Sequence, residues 1–387
     1  MNNFIFYNPV KLIFGKDEIN QIEKEIPSEN KVMLIYGGGS IKKNGVYERV
    51  IKSLKNHDII EFGGVEPNPK YETLMKAVEK AKNENVDFLL AVGGGSVIDG
   101  TKFIAAAARF QGVDPWDMLS KGEKVKDAIP LGTILTLPAT GSEMNNTSVV
   151  SRVSTKEKLP FAHPRLFPKF SILDPQVVYS LPERQVRNGI VDAFVHVLEQ
   201  YLTTEIKAEV QDRWAEGILK AIISTGPDVM TDQENYDNAA NLMLEATMAL
   251  NGILRMGVDE DWSTHMIGHE LTALHGIDHA ETLAIALPGV MNEMRYEKSV
   301  KLLQYAERIW GICSDDGEND SIDEVIGQTE DFFRKLGMKT KLSEHNIPIS
   351  TIDEIEKRFR NRPGFDRLSE TGKLTPERVR KVLESRM

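Results

Sequence analysis

The sequence predicts a parallel α/β domain with a Rossmann-like sheet, followed by a second domain built only from helices. In the first half, short β-branched and apolar runs alternate with helical periodicity, a pattern typical of a parallel sheet covered by helices. After about Leu181 only helical periodicity continues. At 387 residues, the chain also exceeds the roughly 250–300 residues that one core usually supports, which favours two domains.

The predicted strands of the first half are β-branched and apolar runs, three of which end in glycine. They cover residues 31–37, 58–64, 87–95 and 128–139. The segments between them have helical spacing, most clearly at residues 71–85, where Leu74, Val78 and Ala81 share one face. This alternation predicts that helices connect the strands of one parallel sheet.

The second half begins with a helix that opens near Pro182 and keeps its periodicity to Tyr201. We expect Gly226, Gly311 and Gly337 to end three later helices, because glycine tolerates the left-handed conformation of a helix C-terminus. Two prolines within residues 172–183 interrupt any continuous element there. The predicted domains are therefore residues 1–178 and 179–387.

Composition excludes several classes of function. A net charge of −11 argues against nucleic-acid binding, which requires basic surface. No run approaches the ~18 apolar residues of a membrane span, and the N-terminal segment lacks the features of a signal peptide. Cys313 is the single cysteine, so an internal disulfide is excluded. We expect a cytoplasmic protein without a nucleic-acid or membrane partner.

Two glycine triplets follow predicted strands, at Gly37–Ser40 and Gly93–Ser96. Glycine lets backbone N–H groups approach an anion, and the N-terminus of a following helix adds a favourable dipole. A third turn, at residues 137–145, adds Thr140, Gly141 and Ser142. Each triplet alone could be a tight turn, and neither matches the G-x-G-x-x-G pattern. Together they predict a dinucleotide-binding domain.

A metal site is predicted in the second half. Asp192 and His196 are four residues apart on an apolar helix, hence on one face. A buried carboxylate and imidazole must either pair with each other or bind a metal. Four of the 8 histidines lie in the stretch that begins at His265 and ends at His279.

The two ends of this histidine stretch can meet only if the chain turns back. Fourteen residues of straight helix would separate His265 from His279 by roughly 21 Å. Gly276 can end one helix and Asp278 can cap the next. One carboxylate and three imidazoles suit Fe²⁺ or Zn²⁺. The spacing does not choose between His265 and His269.

Long motifs throughout the chain resemble those of the iron-containing (group III) alcohol dehydrogenases. The similarity is greatest to bacterial NADP-dependent butanol dehydrogenases and broad-range aldehyde reductases. It rests on the segments YGGGSIKKNGV, GGVEPNP, AVGGGSVIDGTKFIAAAA, LTLPATGSEMN, GIVDAFVHVLEQY and HMIGHELTALHGIDHAETLAI. The resemblance implies an N-terminal dinucleotide domain and a helical metal-binding domain, an architecture shared with dehydroquinate synthase.

The resemblance also implies roles for individual residues. The metal ligands would be Asp192, His196, His265 and His279. Two catalytic histidines would accompany them, His269 beside the metal and His275 near the nicotinamide. Further residues would belong to the cofactor site: Asn68, Gly94, Gly95, Ser96, Asp99, Thr136, Thr140 and Lys158.

The turn after the first predicted strand favours NADP(H). Family members that prefer NAD tend to carry an aspartate near Gly38, where a carboxylate would accept from the ribose 2′-hydroxyl and repel a 2′-phosphate. This sequence has Gly38, Gly39 and Ser40 instead, followed by Lys42 and Lys43. The lysines could also be ordinary surface charges.

The expected reaction is hydride transfer between NADP(H) and a neutral aldehyde or primary alcohol, with the metal polarising the carbonyl oxygen. The proton would come from water, a ribose hydroxyl or His269. The alternatives are an NAD-dependent polyol dehydrogenase and a metal hydrolase. A lyase similar to dehydroquinate synthase would need Arg or Lys near the metal, and neither histidine-bearing segment contains one. The expected assembly is a homodimer.

Overall fold

The computed structural model describes residues 1–313, 317–362 and 364–387, and it divides into two compact units. The α/β unit consists of Tyr7–Val186 and Asp232–Asn251. The helical unit consists of Met1–Phe6, Arg187–Thr231 and Gly252–Met387. Each unit is thus assembled from separate segments of the chain. The domain boundary between residues 178 and 179 stays a prediction.

A parallel sheet forms the centre of the α/β unit. In the described part of the chain it has six strands in the order β1-β8-β5-β4-β2-β3, all paired in parallel. A separate antiparallel hairpin pairs β6 with β7. The strands are β1 Lys11–Phe14, β2 Lys31–Tyr36, β3 Asp58–Phe62, β4 Phe88–Gly94, β5 Leu131–Leu137, β6 Thr147–Arg152, β7 Glu157–Ala162 and β8 Phe170–Leu173.

Helices connect the parallel strands, and α4 is almost entirely buried. A Cβ at Gly100 of α4 would lie 2.9 Å from the Leu74 side chain of α3, so glycine allows these two helices to pack closely. The helices up to the end of the sheet are α1 Ile22–Glu25, α2 Val46–Ser53, α3 Tyr71–Asn83, α4 Gly95–Ala107 and α5 Asp117–Ser120.

The remaining helices begin where the strands stop. They are α6 Glu183–Tyr201, α7 Glu209–Thr231, α8 Tyr236–Ala249, α9 Ser263–His275, α10 His279–Glu293, α11 Ser299–Tyr305, α12 Glu318–Lys335, α13 Ser350–Asn361 and α14 Pro376–Glu384. One core of the helical unit gathers apolar residues of α9, α10, α13 and α14, including Ile267, Ile285, Ile355 and Val382. No helix in the described residues is long and apolar enough to cross a membrane.

The predicted fold class is confirmed. The four predicted strands correspond to β2, β3, β4 and β5, and α6 begins at Glu183, just after Pro182. Gly311 adopts a φ of 70° at a helix end, as expected of a glycine cap. The sequence pattern did not predict β1, β6, β7 and β8, two of which are only four residues long.

The predicted helix end at Gly226 is wrong. Helix α7 continues through Gly226 and Pro227 to Thr231. A Cβ at Gly226 would lie 3.0 Å from Cγ2 of Ile190 on α6. The glycine therefore allows two helices to approach closely, and it does not end α7.

Candidate metal centre and dinucleotide site

Helix α6 carries the first two residues of the candidate metal centre. Asp192 and His196 lie one helical turn apart, and both are buried. The Nε2 atom of His196 lies 3.8 Å from Oδ1 of Asp192. This distance exceeds that of a hydrogen bond, so the two side chains are not simply hydrogen-bonded to each other.

A break between α9 and α10 brings two further histidines to the same carboxylate oxygen. Gly276 ends α9 with a φ of 70°, and Asp278 is the N-cap residue of α10, although its side chain makes no capping hydrogen bond. The Nε2 atoms of His265 and His279 lie 3.8 and 3.7 Å from Oδ1 of Asp192. The chain reversal required to bring these two histidines together is therefore present.

Glycine also brings the two histidine-bearing helices close to each other. A Cβ at Gly268 of α9 would lie 2.7 Å from Oγ1 of Thr282 on α10. Any larger residue would separate the helices or displace this threonine. The close crossing thus depends on a residue that lies between His265 and His269 on α9.

The arrangement fits a divalent cation. Asp192, His265 and His279 offer ligand atoms that all lie within 4.8 Å of one another, and His196 reaches the same carboxylate oxygen from outside this group. Ligand atoms about 2.1 Å from one tetrahedral ion would be roughly 3.4 Å apart, close to the spacings seen. In the described residues, Oδ1 of Asp192 and Nε2 of His265 are buried without a hydrogen-bond partner.

Charges around the metal-free site favour the ionised form of Asp192 and the neutral form of His196, whereas they favour the protonated form of His265, whose second proton a metal would displace. Burial would raise the pKa of Asp192, but the neighbouring histidines outweigh it and hold that pKa well below its usual range. Burial lowers the pKa of His196 to about 4, so its ring is neutral near pH 7. Burial also opposes charge on His265, but Glu199 and Asp192 raise its pKa to about 9.

The two histidines predicted to be catalytic have different surroundings. The buried ring of His269 lies 5.3 Å from that of His279 and 6.3 Å from that of His265, between ring centroids. The Nε2 atom of His275 is instead 2.9 Å from Oγ1 of Thr351 on α13. His269 therefore lies beside two of the candidate metal ligands, and His275 has a partner elsewhere in the helical unit.

The glycine turns of the α/β unit follow two neighbouring strands. Strands β2 and β4 are adjacent, and the chain continues from β2 to β3 on one side and from β4 to β5 on the other. Ligands of open α/β sheets bind where the strand order reverses in this way, at the carboxyl ends of the strands. The turns Gly37–Gly39 and Gly94–Gly95 lie at these ends.

The second turn requires glycine for close packing. A Cβ at Gly95 would lie 2.3 Å from Oγ1 of Thr140, and one at Gly94 would lie 2.9 Å from Cβ of Leu137. The hydroxyl of Ser96 accepts a hydrogen bond from the backbone N–H of Asn68 at 3.2 Å. Helix α4 begins at Gly95, so its N-terminal N–H groups face the end of the sheet.

Asp99 has partners within the protein for both of its carboxylate oxygens. Oδ1 accepts from the Ser142 hydroxyl at 2.5 Å, and Oδ2 accepts from the backbone N–H of Val149 at 3.0 Å. Burial raises the pKa of Asp99, while Lys102 and Ser142 oppose this effect. Asp99 therefore holds the loop before β6 in place, and contact with a cofactor stays a prediction.

Other predicted cofactor residues occupy the same unit. Thr136 lies on β5, and Lys158 lies on β7, where it is the strand partner of Ser151. Both side chains are buried. Their participation in cofactor binding also stays a prediction.

The first glycine turn has open space around it, but one of the two lysines beside it forms an ion pair. A Cβ at Gly38 or Gly39 would meet no atom within 4 Å. Nζ of Lys42 lies 3.1 Å from Oε2 of Glu61 and is stacked over the rings of Tyr36 and Tyr47. The positive charge of Lys42 beside the turn is therefore accompanied by the negative charge of Glu61.

Two buried residues that the sequence interpretation missed also belong to these sites. Lys102 donates to Ser142, Asn145 and Thr147, so it fixes the third turn. Glu199 contacts His265 directly. Helical spacing contains a signal for both, because Lys102 is three residues after Asp99 and Glu199 is seven residues after Asp192.

Comparison with known proteins associates both units with one enzyme family. A model described as iron-containing alcohol dehydrogenase matches residues 9–175, and a model of the C-terminal region of the Fe-containing alcohol dehydrogenase family matches residues 187–362. NADPH-dependent aldehyde reductase YqhD of Escherichia coli K12 is 50% identical over 387 residues, which cover 100% of each chain. The crystal structure of YqhD superposes with a TM-score of 0.98 at 49% identity and covers 100% of this chain and 99% of the other.

The chain is also similar to proteins whose names specify NADH as the cofactor. Probable NADH-dependent butanol dehydrogenase 1 of Bacillus subtilis is 43% identical over 359 residues, which cover 92% of each chain. The structure of NADH-dependent butanol dehydrogenase A from Thermotoga maritima has a TM-score of 0.95 at 37% identity and covers 100% of this chain and 99% of that one. Similarity alone therefore does not choose between the two dinucleotides.

Proposed function

This chain belongs to the iron-containing alcohol dehydrogenase family, and we propose from that premise that it reduces short- to medium-chain neutral aldehydes with NADPH. It is an oxidoreductase that acts on alcohols and aldehydes. The observation that carries the proposal is the position of three imidazole Nε2 atoms at 3.7–3.8 Å from one buried carboxylate oxygen of Asp192. Such a donor set binds a catalytic divalent metal.

The proposed ligands are Asp192, His196, His265 and His279. When bound, the metal polarises the carbonyl oxygen, and the reduced nicotinamide supplies the hydride. Iron is favoured over zinc by the family to which the chain belongs. The centroid of the Trp262 indole ring lies 5.2 Å from that of His265 and 6.1 Å from that of His196.

The proton for the product oxygen has three possible sources: water, a ribose hydroxyl of the cofactor and His269. His269 is buried and adjacent to the metal-binding group, so its imidazole is the one protein group that we propose for this role. His269→Ala should then keep the metal and lose mainly the rate of turnover.

The preference for NADPH is supported by the open turn at Gly38. No carboxylate occupies this position, and a Cβ there would meet nothing within 4 Å. A cofactor with a 2′-phosphate would therefore meet neither a steric barrier nor a charge on residue 38. Relatives named for NADH are also similar, so the ratio of kcat/KM for NADPH and NADH is the measurement that tests this preference.

The preference for neutral substrates is supported by the charges around α9. In the part of the chain that the structure describes, the guanidinium groups of Arg358 and Arg362 both donate to Glu270 of α9 at 2.6 Å. Arg358 also donates to Glu354. The two guanidinium groups are thus paired with carboxylates of the protein. A substrate carboxylate would have to compete with Glu270 and Glu354 for them.

We also propose a cytoplasmic homodimer. The absence of a disulfide partner for Cys313 agrees with a reducing compartment. Phe4, Ile5 and Tyr7 near the N-terminus are 48%, 97% and 67% exposed, and so apolar a segment is typical of a surface that another subunit covers. Light scattering coupled to size-exclusion chromatography would measure the mass, which should be twice the 43.4 kDa of one chain.

The experiment that tests the proposal is a panel of aldehydes assayed with NADPH and NADH, on metal-free protein and on protein reconstituted with Fe²⁺ or Zn²⁺. Metal-dependent reduction of neutral aldehydes with a higher kcat/KM for NADPH is expected. A preference for NADH and polyols would favour the polyol dehydrogenase. Metal-dependent hydrolysis without a dinucleotide would favour the hydrolase.

A further inference from the structure

A buried carboxylate, Glu199, lies behind the candidate metal centre. It is on α6, seven residues after Asp192, so two helical turns place both on one face. Its side chain is 4% exposed. A buried carboxylate in this position requires specific partners, because an unpaired charge is costly to bury.

The two carboxylate oxygens of Glu199 contact different groups in the first turn of α9, the imidazole ring of His265 and a backbone N–H. Oε2 contacts Nδ1 of His265, and Oε1 accepts from the backbone N–H of Thr264 at 2.6 Å. The Thr264 N–H is one of the first-turn donors that the helix itself leaves without an acceptor. Glu199 thus holds the His265 ring and the end of the helix that carries it.

A second layer of contacts holds Glu199 against this helix end. The backbone N–H of Asp261 donates to the carbonyl oxygen of Glu199 at 2.9 Å. The Asp261 side chain accepts from the backbone N–H of Ser263 at 2.8 Å and pairs with buried Lys298. Lys298 in turn donates to the carbonyl oxygen of Leu202 at 2.6 Å, just beyond α6. The C-terminal end of α6 and the start of α9 are therefore tied together.

The two ring nitrogens of His265 consequently have different surroundings. Nδ1 is occupied by Glu199, and Nε2 lies 3.8 Å from Oδ1 of Asp192 without a hydrogen-bond partner in the described residues. A carboxylate at Nδ1 favours the tautomer that carries its proton there and leaves the Nε2 lone pair free. The ring is thus oriented for a ligand on the side of Asp192.

We propose that Glu199 is a positioning residue of the metal centre, which fixes the tautomer and orientation of His265 so that its Nε2 binds the ion. This inference rests on the proposed metal centre and extends it to a residue that touches neither metal nor substrate. Carboxylates that accept from the second nitrogen of a ligating histidine typically change metal affinity by about 10- to 100-fold when they are replaced.

The test is the dissociation constant of Zn²⁺, measured on metal-free protein by competition with a chromophoric chelator. Glu199→Gln keeps the size of the side chain, but its single carbonyl oxygen cannot accept from both His265 and Thr264. We expect metal binding about 10- to 100-fold weaker, with an altered visible spectrum of the Co²⁺-substituted protein. Glu199→Asp retains the charge and should bind metal more tightly than Glu199→Gln.

Glu216→Gln is the matched control. Glu216 is also a buried carboxylate of the helical unit, but its partners are Tyr201, Arg213 and Arg308. Its replacement should lower the thermal midpoint of the metal-free protein and leave the Zn²⁺ dissociation constant within about threefold of wild type. This comparison separates a loss of stability from a loss of metal binding.

Three results would overturn the inference. One is Zn²⁺ binding by Glu199→Gln within threefold of wild type, and another is equal weakening in Glu216→Gln. The third is failure of both Glu199 variants to fold while Glu216→Gln folds, which would make the role of Glu199 structural. If wild-type protein itself binds no Zn²⁺, the proposed metal centre fails as well, so failure of the two proposals can be distinguished.

Discussion

Gly38 is the residue on which the proposed cofactor preference depends most directly. Its backbone lies outside the left-handed region, and a Cβ would meet no atom within 4 Å, whereas Gly39 has a φ of 91°. A side chain at residue 38 therefore changes the chemistry of the turn without straining it. The same substitution at Gly39 would change the backbone as well.

Gly38→Asp should shift the preference from NADPH towards NADH. The carboxylate would repel a 2′-phosphate and accept from a ribose 2′-hydroxyl, and one charged hydrogen bond is worth roughly 1.5–3 kcal/mol, or about ten- to a hundredfold. The measurement is the ratio of kcat/KM for the two cofactors. Gly38→Asn, of similar size but uncharged, is the control and should shift the ratio less. An unchanged ratio in Gly38→Asp would disprove this explanation of the turn.

At the residue scale, sequence spacing predicted a metal site but did not choose between two of its histidines. His265 and His269 are four residues apart on one helix face, so spacing allows either as a ligand. The position of Nε2 of His265, 3.8 Å from Oδ1 of Asp192, supports the proposal that His265 is the ligand. The supporting Glu199 was missed because its partner, His265, is 66 residues away in the chain.

At the scale of elements, the packing of α7 on α6 explains why the predicted helix end at Gly226 is wrong. Local propensity predicted a helix end at Gly226, but the glycine is buried in the middle of a helix contact. Glycine is needed at this position because a Cβ on residue 226 would lie only 3.0 Å from Cγ2 of Ile190, a residue distant in the sequence. Local patterns cannot distinguish a capping glycine from one that allows close packing.

Gly226→Ala should destabilise the protein despite the better helix propensity of alanine. The added methyl group must displace the Ile190 side chain, and such overpacking typically costs about 1–3 kcal/mol. Gly217→Ala is a control in the same helix, because a Cβ there would meet nothing within 4 Å. It should be stabilising by up to about 1 kcal/mol. Urea unfolding of metal-free protein measures both, and equal effects would contradict the packing explanation.

Helix α12 is connected to the C-terminus by an ion pair between half-buried Glu330 and buried Arg386. Arg386 lies 2.7 Å from Oε1 of Glu330 and also donates to the carbonyl oxygens of Ile285 and Thr340. Burial opposes ionisation of Glu330, but Arg386 and Thr340 outweigh it and lower its pKa to about 2. The pair therefore contributes stability above the unfolded pKa of about 4.5, which is lost as the pH falls towards 2.

Glu330→Gln should be less stable than wild type at pH 7, by on the order of 1–2 kcal/mol after solvent screening is allowed for. The difference should narrow as the pH falls below about 4.5, because the Glu330 carboxyl of the unfolded chain then takes up a proton while the folded one, with a pKa of about 2, stays ionised. Urea unfolding of metal-free protein between pH 7 and pH 3 measures the difference. Glu324→Gln, at an exposed site of the same helix, should match wild type throughout. A difference that does not vary with pH would exclude the ion pair as its cause.

The strands that the sequence did not predict share a physical cause. β1 and β8 have four residues each, and they pair with each other across more than 150 positions of the chain. The hairpin of β6 and β7 contains exposed and half-buried residues without a continuous apolar run. Short strands whose stability comes from distant partners carry little local signal.

At the scale of the whole molecule, two specialised units carry the two halves of the proposed chemistry. The glycine turns follow adjacent strands of the α/β unit, and the histidines converge on Asp192 in the helical unit. The alternation of strands and helices predicted the first unit, and the periodicity after Leu181 predicted the second. Local patterns could not place α8 with the sheet, since that assignment follows from tertiary packing.

Substrate charge tests the proposed environment of the metal centre. Neutral aldehydes such as butanal should have a higher kcat/KM than carboxylated analogues such as succinic semialdehyde at fixed NADPH, because desolvating an unpaired anion costs several kcal/mol. Each added methylene of a neutral aldehyde should help by no more than ~0.8 kcal/mol. A tenfold preference for the carboxylated substrate would show that Arg358, Arg362 or another cation is available to it.

The central claim is that one divalent ion, bound by Asp192, His196, His265 and His279, is required for turnover. Elemental analysis of purified wild type, His196→Ala, His279→Ala and His269→Ala, each with its NADPH-dependent aldehyde reductase rate, tests it most directly. We expect one ion per chain in wild type and in His269→Ala, with a reduced rate of turnover in His269→Ala. His196→Ala and His279→Ala should lose both the ion and turnover. Full metal occupancy in both of these variants would contradict the ligand assignment.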